Sequence, residues 1–143
     1  MNTAIENKKN EVKNNVKKLF ESFEKEAKTT LAVCPKWEVL NVDIYAVGSD
    51  VTLLLKESKE VKMKISYKKG RDNIKESFET NVSAYGSFNP LTDNVISNYY
   101  TSVADIIQHK DMLTMLKNIM QASIDCLAAY YKEYETLESQ EEA

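Results

Sequence analysis

The sequence predicts an α+β domain in the order α-β-β-β-β-α-α: a long N-terminal helix, a four-stranded antiparallel meander and two C-terminal helices. Three observations carry that prediction. Apolar residues recur at helical spacing as far as Leu31, alternate with period two from Trp37 to Phe88, and return to helical spacing beyond Pro90. Neither glycine nor proline occurs from Leu91 to the C-terminus. Finally, one set of strand registers places the apolar residues of every strand on one face, which a single-residue slip would destroy.

The opening helix is expected from about Thr3 to about Leu31. Thr3 with Glu6 three residues on is a capping box. Ile5, Val12, Val16, Leu19, Phe20, Phe23 and Ala27 form its apolar face, with Lys8, Lys9, Lys13, Lys17 and Lys18 among the polar positions. Cys34-Pro35 marks the exit, because a residue before proline is driven out of the helical region.

Strand one is expected near Trp37–Val47, with Leu40, Val42, Ile44 and Ala46 facing inward, and Gly48-Ser49-Asp50 as the turn. Val51, Leu53 and Leu55 follow in strand two, and Val61, Met63, Ile65 and Tyr67 in strand three. Strand four places Ile74, Phe78, Val82 and Ala84 inward, with Glu76 and Thr80 as polar exceptions. Pairing Ile44 with Leu53, Leu53 with Met63 and Ile65 with Phe78 aligns all four, and sets Lys64 opposite Glu79.

The final third divides into two stripes. Val95, Ile96, Tyr99, Tyr100, Val103, Ile106 and Ile107 form one, and Met112, Leu116, Ile119, Met120, Ser123, Leu127, Tyr130 and Tyr134 another, rotated by roughly 130°. A straight helix cannot turn both toward one core, so two helices are expected, broken near Gln108–Asp111 with Asp111 as a cap. The organisation is therefore one domain over 1–137 and an acidic disordered tail over 138–143.

Composition narrows the function classes. Hydrophobic residues at 43% and charged residues at 29% are ordinary for a globular chain. No apolar run is long enough to cross a bilayer, and the N-terminus lacks a basic-then-apolar leader, so a cytoplasmic location is expected. Eighteen lysines against one arginine, with many Asn and Ile, suit an AT-rich bacterial or phage genome. The charge is polarised, +5 over residues 1–75 and −8 over 76–143, for a net −3.

No catalytic set emerges. His109, the single histidine, reads as a solvated residue in an inter-helix turn, and Cys34 and Cys126 read as small buried thiols. His and Cys are too few for a zinc site, and no glycine-rich phosphate loop exists, so no metal and no cofactor are expected. Among carboxylates on strands (Glu38, Asp43, Glu76, Glu79), Glu76 stands out at a core-face position. With Tyr67 it defines a candidate ligand pocket between helices and sheet, which would make the chain a small-ligand binder or a carboxylate-based enzyme. Lys62, Lys64, Lys68 and Arg71 define a candidate single-strand nucleic-acid surface, weakened by the near-absence of arginine and the scarcity of stacking aromatics.

The leading expectation is a non-enzymatic protein-binding or assembly module acting as a homo-oligomer, with itself and another protein as partners. A phage inhibitor of a host protein and a virion component both fit. Trp37, Val39, Tyr45 and Leu54 on the second sheet face, and Tyr99, Tyr100, Tyr130, Tyr131 and Tyr134 on the helices, are the expected interface, because they exceed what one core requires.

Overall fold

A computed structural model describes residues 3–58, 60–82, 86–93 and 101–142. Helix α1 spans Thr3–Thr30 and passes into a 3-10 turn, Leu31–Val33. The chain then straightens at Cys34, whose N–H donates to the Leu31 carbonyl at 2.9 Å, while Trp37 donates to the Cys34 carbonyl at 3.1 Å.

Strands β1 (Trp37–Tyr45), β2 (Gly48–Leu55), β3 (Lys62–Lys68), β4 (Ser77–Val82) and β5 (Gly86–Phe88) form an antiparallel sheet in chain order. The meander is thus extended by a fifth strand, β5, paired from Thr80↔Phe88 to Val82↔Gly86. Leu53 pairs with Met63 as the sequence predicts. Ile44 instead faces Ser49, Ile65 faces Thr80 and Lys64 faces Asn81. Each slip is an even number of residues, so the apolar faces stay aligned although the partners change.

The first slip arises because β1 and β2 turn at Ala46-Val47, with Tyr45 paired to Gly48. Gly48 is a strand residue and not the turn. A Cβ built there would lie 2.6 Å from the Tyr67 carbonyl oxygen and 2.8 Å from the Tyr45 Oη. The missing side chain is what lets the Tyr45 ring lie across the strand.

A second correction concerns β1. Its pairing shifts between Val39 and Asn41, the signature of a bulge, which adds a residue and reverses parity. Trp37 and Val39 therefore share the covered face with Val42 and Ile44, whereas Leu40 is 41% exposed. The expectation that Trp37 and Val39 lie on the second face is overturned, and Leu40 and Ala46 leave the inward set. In the β3–β4 connection Ile74 is likewise 63% exposed, held in a turn by reciprocal backbone bonds with Arg71.

Two further helices follow, α2 (Thr101–Ile107) and α3 (Lys110–Glu142), as the phase break predicts. Leu113 N–H donates to the His109 carbonyl at 3.0 Å, so His109 rather than Asp111 occupies the cap position. Asp111 sits in the first turn, where a negative charge suits the helix dipole. Residues 138–142, where a tail is expected, belong to α3, which runs to Glu142; Ala143 lies outside the described residues.

Helices α1 and α3 cover one sheet face. Phe23 and Ala27 of α1 and Leu31 of the 3-10 turn meet Leu53, Met63 and Ile65 of the sheet and Leu116, Met120, Ile124 and Leu127 of α3 in one core. Each large apolar side chain sealed there contributes about 1.5–3 kcal/mol against exposure. Among the described residues no helix covers the other face, a common state for antiparallel sheets. Among the described residues no helix is long and apolar enough to cross a membrane.

Candidate functional site

The helices are longer than the sheet they cover. At 28 and 33 residues, α1 and α3 reach about 42 and 50 Å, against about 30 Å for the nine residues of β1. The core takes its first α1 residue at Val16 and its last α3 residue at Leu127. Thr3–Asn15 and Ala128–Glu142 therefore continue as an antiparallel helix pair, a stalk of about 20 Å.

The stalk is held by contacts of its own. Val12 and Leu137 are buried, 2% and 7% exposed, outside the main core. Lys9 Nζ donates to Glu141 Oε2 at 2.9 Å, and this bond raises the ammonium pKa. Lys9 and Lys13 lie 5.2 and 5.7 Å from the Tyr134 ring centroid, within cation–π range. Along the seam a groove of about 280 Å³ is lined by Val12, Lys13, Val16, Tyr131 and Tyr134. Tyr131 is 49% exposed over it, Tyr134 and Tyr130 half-buried. Within the stalk α1 carries Lys8, Lys9 and Lys13 against Glu6 and Glu11, and α3 carries Glu133, Glu135, Glu138, Glu141 and Glu142 against Lys132, so the α1 side is slightly basic and the α3 side acidic.

The remaining interface candidates are dispersed. Trp37 is 4% exposed, and its indole N–H donates to the Ser102 carbonyl at 2.9 Å, tying β1 to α2. Val39 packs half-buried against the core. Tyr45 and Leu54 are half-buried on the uncovered face, where burial and then Asp50 raise the Tyr45 phenol pKa. Tyr99 and Tyr100 lie outside the described residues.

On the same uncovered face Lys62, Lys64 and Lys68 are exposed along β3, but Lys64 Nζ lies 3.5 Å from Asp50 Oδ2. Arg71 is exposed in the β3–β4 turn. Among the described residues, carboxylates at Asp50 and Glu79 flank the lysine row.

Glu76 and Tyr67 do come together. The Tyr67 hydroxyl donates to Glu76 Oε2 at 2.7 Å, Lys117 Nζ donates to Glu76 Oε1 at 3.0 Å, and Gln121 Nε2 donates to the Tyr67 hydroxyl at 2.9 Å. The Tyr67 bond, followed by that from Lys117, holds the Glu76 carboxyl below its ordinary pKa; burial, followed by Glu76, raises the Tyr67 phenol. Beside them a hollow of about 280 Å³ is lined by Tyr67, Lys69, Gln121, Ile124 and Asp125, and Lys69 pairs with Asp125 at 3.1 Å. These groups spend their polar atoms on one another, pinning the β3–β4 connection to α3. Lys117 and Gln121 escape sequence reading, since nothing local links them to Glu76 some forty positions earlier; their i, i+4 spacing on α3 is the one available hint.

No protein-family model, curated protein or solved structure matches the chain.

Proposed function

We propose that the protein is a non-enzymatic assembly module that associates with further copies of itself through the helical stalk. One observation carries this reading: α1 and α3 run about 20 Å past the core they serve, and there keep half-exposed Tyr131 over an apolar groove. Helix length beyond the sheet adds nothing to the sheet's burial. An aromatic side chain at a groove, rimmed by charge, is the usual composition of an interface centre.

The two-sided charge of the stalk supports a second copy as partner. The basic α1 side of one copy complements the acidic α3 side of another, and a two-fold arrangement makes that contact twice. Tyr131→Glu tests the proposal, because this side chain is exposed enough to change without unfolding the chain. Sedimentation equilibrium should give an oligomer for the native chain and a monomer for the variant, with matching far-UV circular dichroism spectra and a native thermal midpoint that rises with protein concentration. A native chain that stays monomeric at high micromolar concentration overturns self-assembly.

A further inference from the structure

A third concavity lies at the opposite end of α1, independent of the stalk. A cleft of about 430 Å³ opens where the 3-10 turn meets the beginning of β1 and the end of β2, lined by Leu31, Trp37, Val39, Lys28, Glu38 and Lys56 among others. Leu31 and Trp37, 3% and 4% exposed, form its floor, with the Trp37 ring held by its bond to Ser102, and the apolar surface open to a ligand is that of exposed Ala32 and Pro35 and half-buried Val39. Its charged members are exposed at the rim.

We propose that this cleft binds a small amphiphile with an anionic head and an unbranched apolar chain, a medium-chain carboxylate being the simplest. The volume lies within the range of small-ligand clefts, about 300–1,000 Å³. Charge selects the head. Two lysines stand against the one carboxylate of Glu38. Lys28 is shared with Glu24 at 3.2 Å, while Lys56 makes no ion pair among the described residues. The apolar wall selects the chain, since a bare inorganic anion would leave it unused. A preformed wall also binds without first ordering itself, which favours affinity in a site this open. The Glu76–Tyr67 hollow has no such claim, because its polar groups are already paired with each other.

Trp37 is the one tryptophan in the chain, so its intrinsic fluorescence reports on this cleft alone. The full-length protein is titrated with octanoate, decanoate, octylammonium and inorganic phosphate, all below micelle-forming concentrations. Both carboxylates should give saturable changes, tightening about fourfold per added methylene. Octylammonium should bind weaker by about tenfold or more, and phosphate should give no change. Lys56→Glu should weaken octanoate about fivefold with an unaltered thermal midpoint, while Lys75→Glu, in the β3–β4 connection, should not. Absence of saturation with either carboxylate overturns the proposal. So does equal affinity for octylammonium, phosphate binding that matches octanoate, or a Lys56→Glu variant that binds octanoate as the native chain does.

Discussion

The Tyr67 hydroxyl donates a 2.7 Å hydrogen bond to Glu76 Oε2, joining the end of β3 to the connection that follows it. Lys117 and Gln121 bring α3 into the same knot. Tyr67 is 3% exposed, so its hydroxyl needs a partner within the protein, and Glu76 supplies a charged one. A carboxylate at a core-face position of the sequence is thereby explained as a clamp at the sheet margin.

The clamp makes stability depend on pH at two ends. The folded-state pKa of Glu76 is depressed, so its contribution is present above the ordinary value of 4.5 and disappears as pH falls through the lower folded value. The Tyr67 pKa is raised, so its contribution is present below the ordinary value of 10.0 and is lost as pH rises through the folded value. Glu76→Gln should therefore lower the thermal midpoint more at pH 7 than at pH 3. Tm measured at both pH values for the two proteins checks this, and a deficit of equal size at both would contradict it.

Thr80 lies on the core face of β4, 0% exposed, and its hydroxyl has no hydrogen-bond partner among the described residues. Replacing it by the near-isosteric valine removes an unmet polar group and keeps the β-branched shape. Thr80→Val should raise stability by about 1 kcal/mol. Urea unfolding should show a higher midpoint with an unchanged slope.

Gly48 tests the β1–β2 crossing. Any Cβ at this position approaches the Tyr67 carbonyl oxygen, which belongs to the paired strand and cannot step aside as a side chain would. Gly48→Ala should cost about 1–3 kcal/mol, visible as a lowered Tm, although alanine is ordinarily the easier residue to order in a strand.

Much of the fold was legible because periodicity reports which residues face a core. The change of period at Trp37, its reversal after Pro90, and the phase break at Gln108–Asp111 each mark an element that the structure contains. The bulge at Leu40 was not legible. Trp37 and Val39 stand at odd positions and Leu40, Val42 and Ile44 at even ones, so apolar residues occupy both parities and either face reads as plausible. That ambiguity sent Trp37 to the wrong side of the sheet. Nor can periodicity reveal the stalk. Val12 and Val16 fit one apolar stripe equally well, yet one packs outside the core and the other against it, a difference set by where the sheet ends. Long-range polar pairs such as Glu76–Lys117 leave no local trace either.

The central claim is that the stalk is the surface through which copies meet, and a site-specific photo-cross-linker measures this directly. A benzophenone side chain is placed at Ala128, exposed one turn before Tyr131, or at Asn81, exposed on the uncovered sheet face. Irradiation should yield a covalent dimer from the Ala128 position and none from Asn81. A dimer from Asn81 alone, or from neither position, would contradict the account.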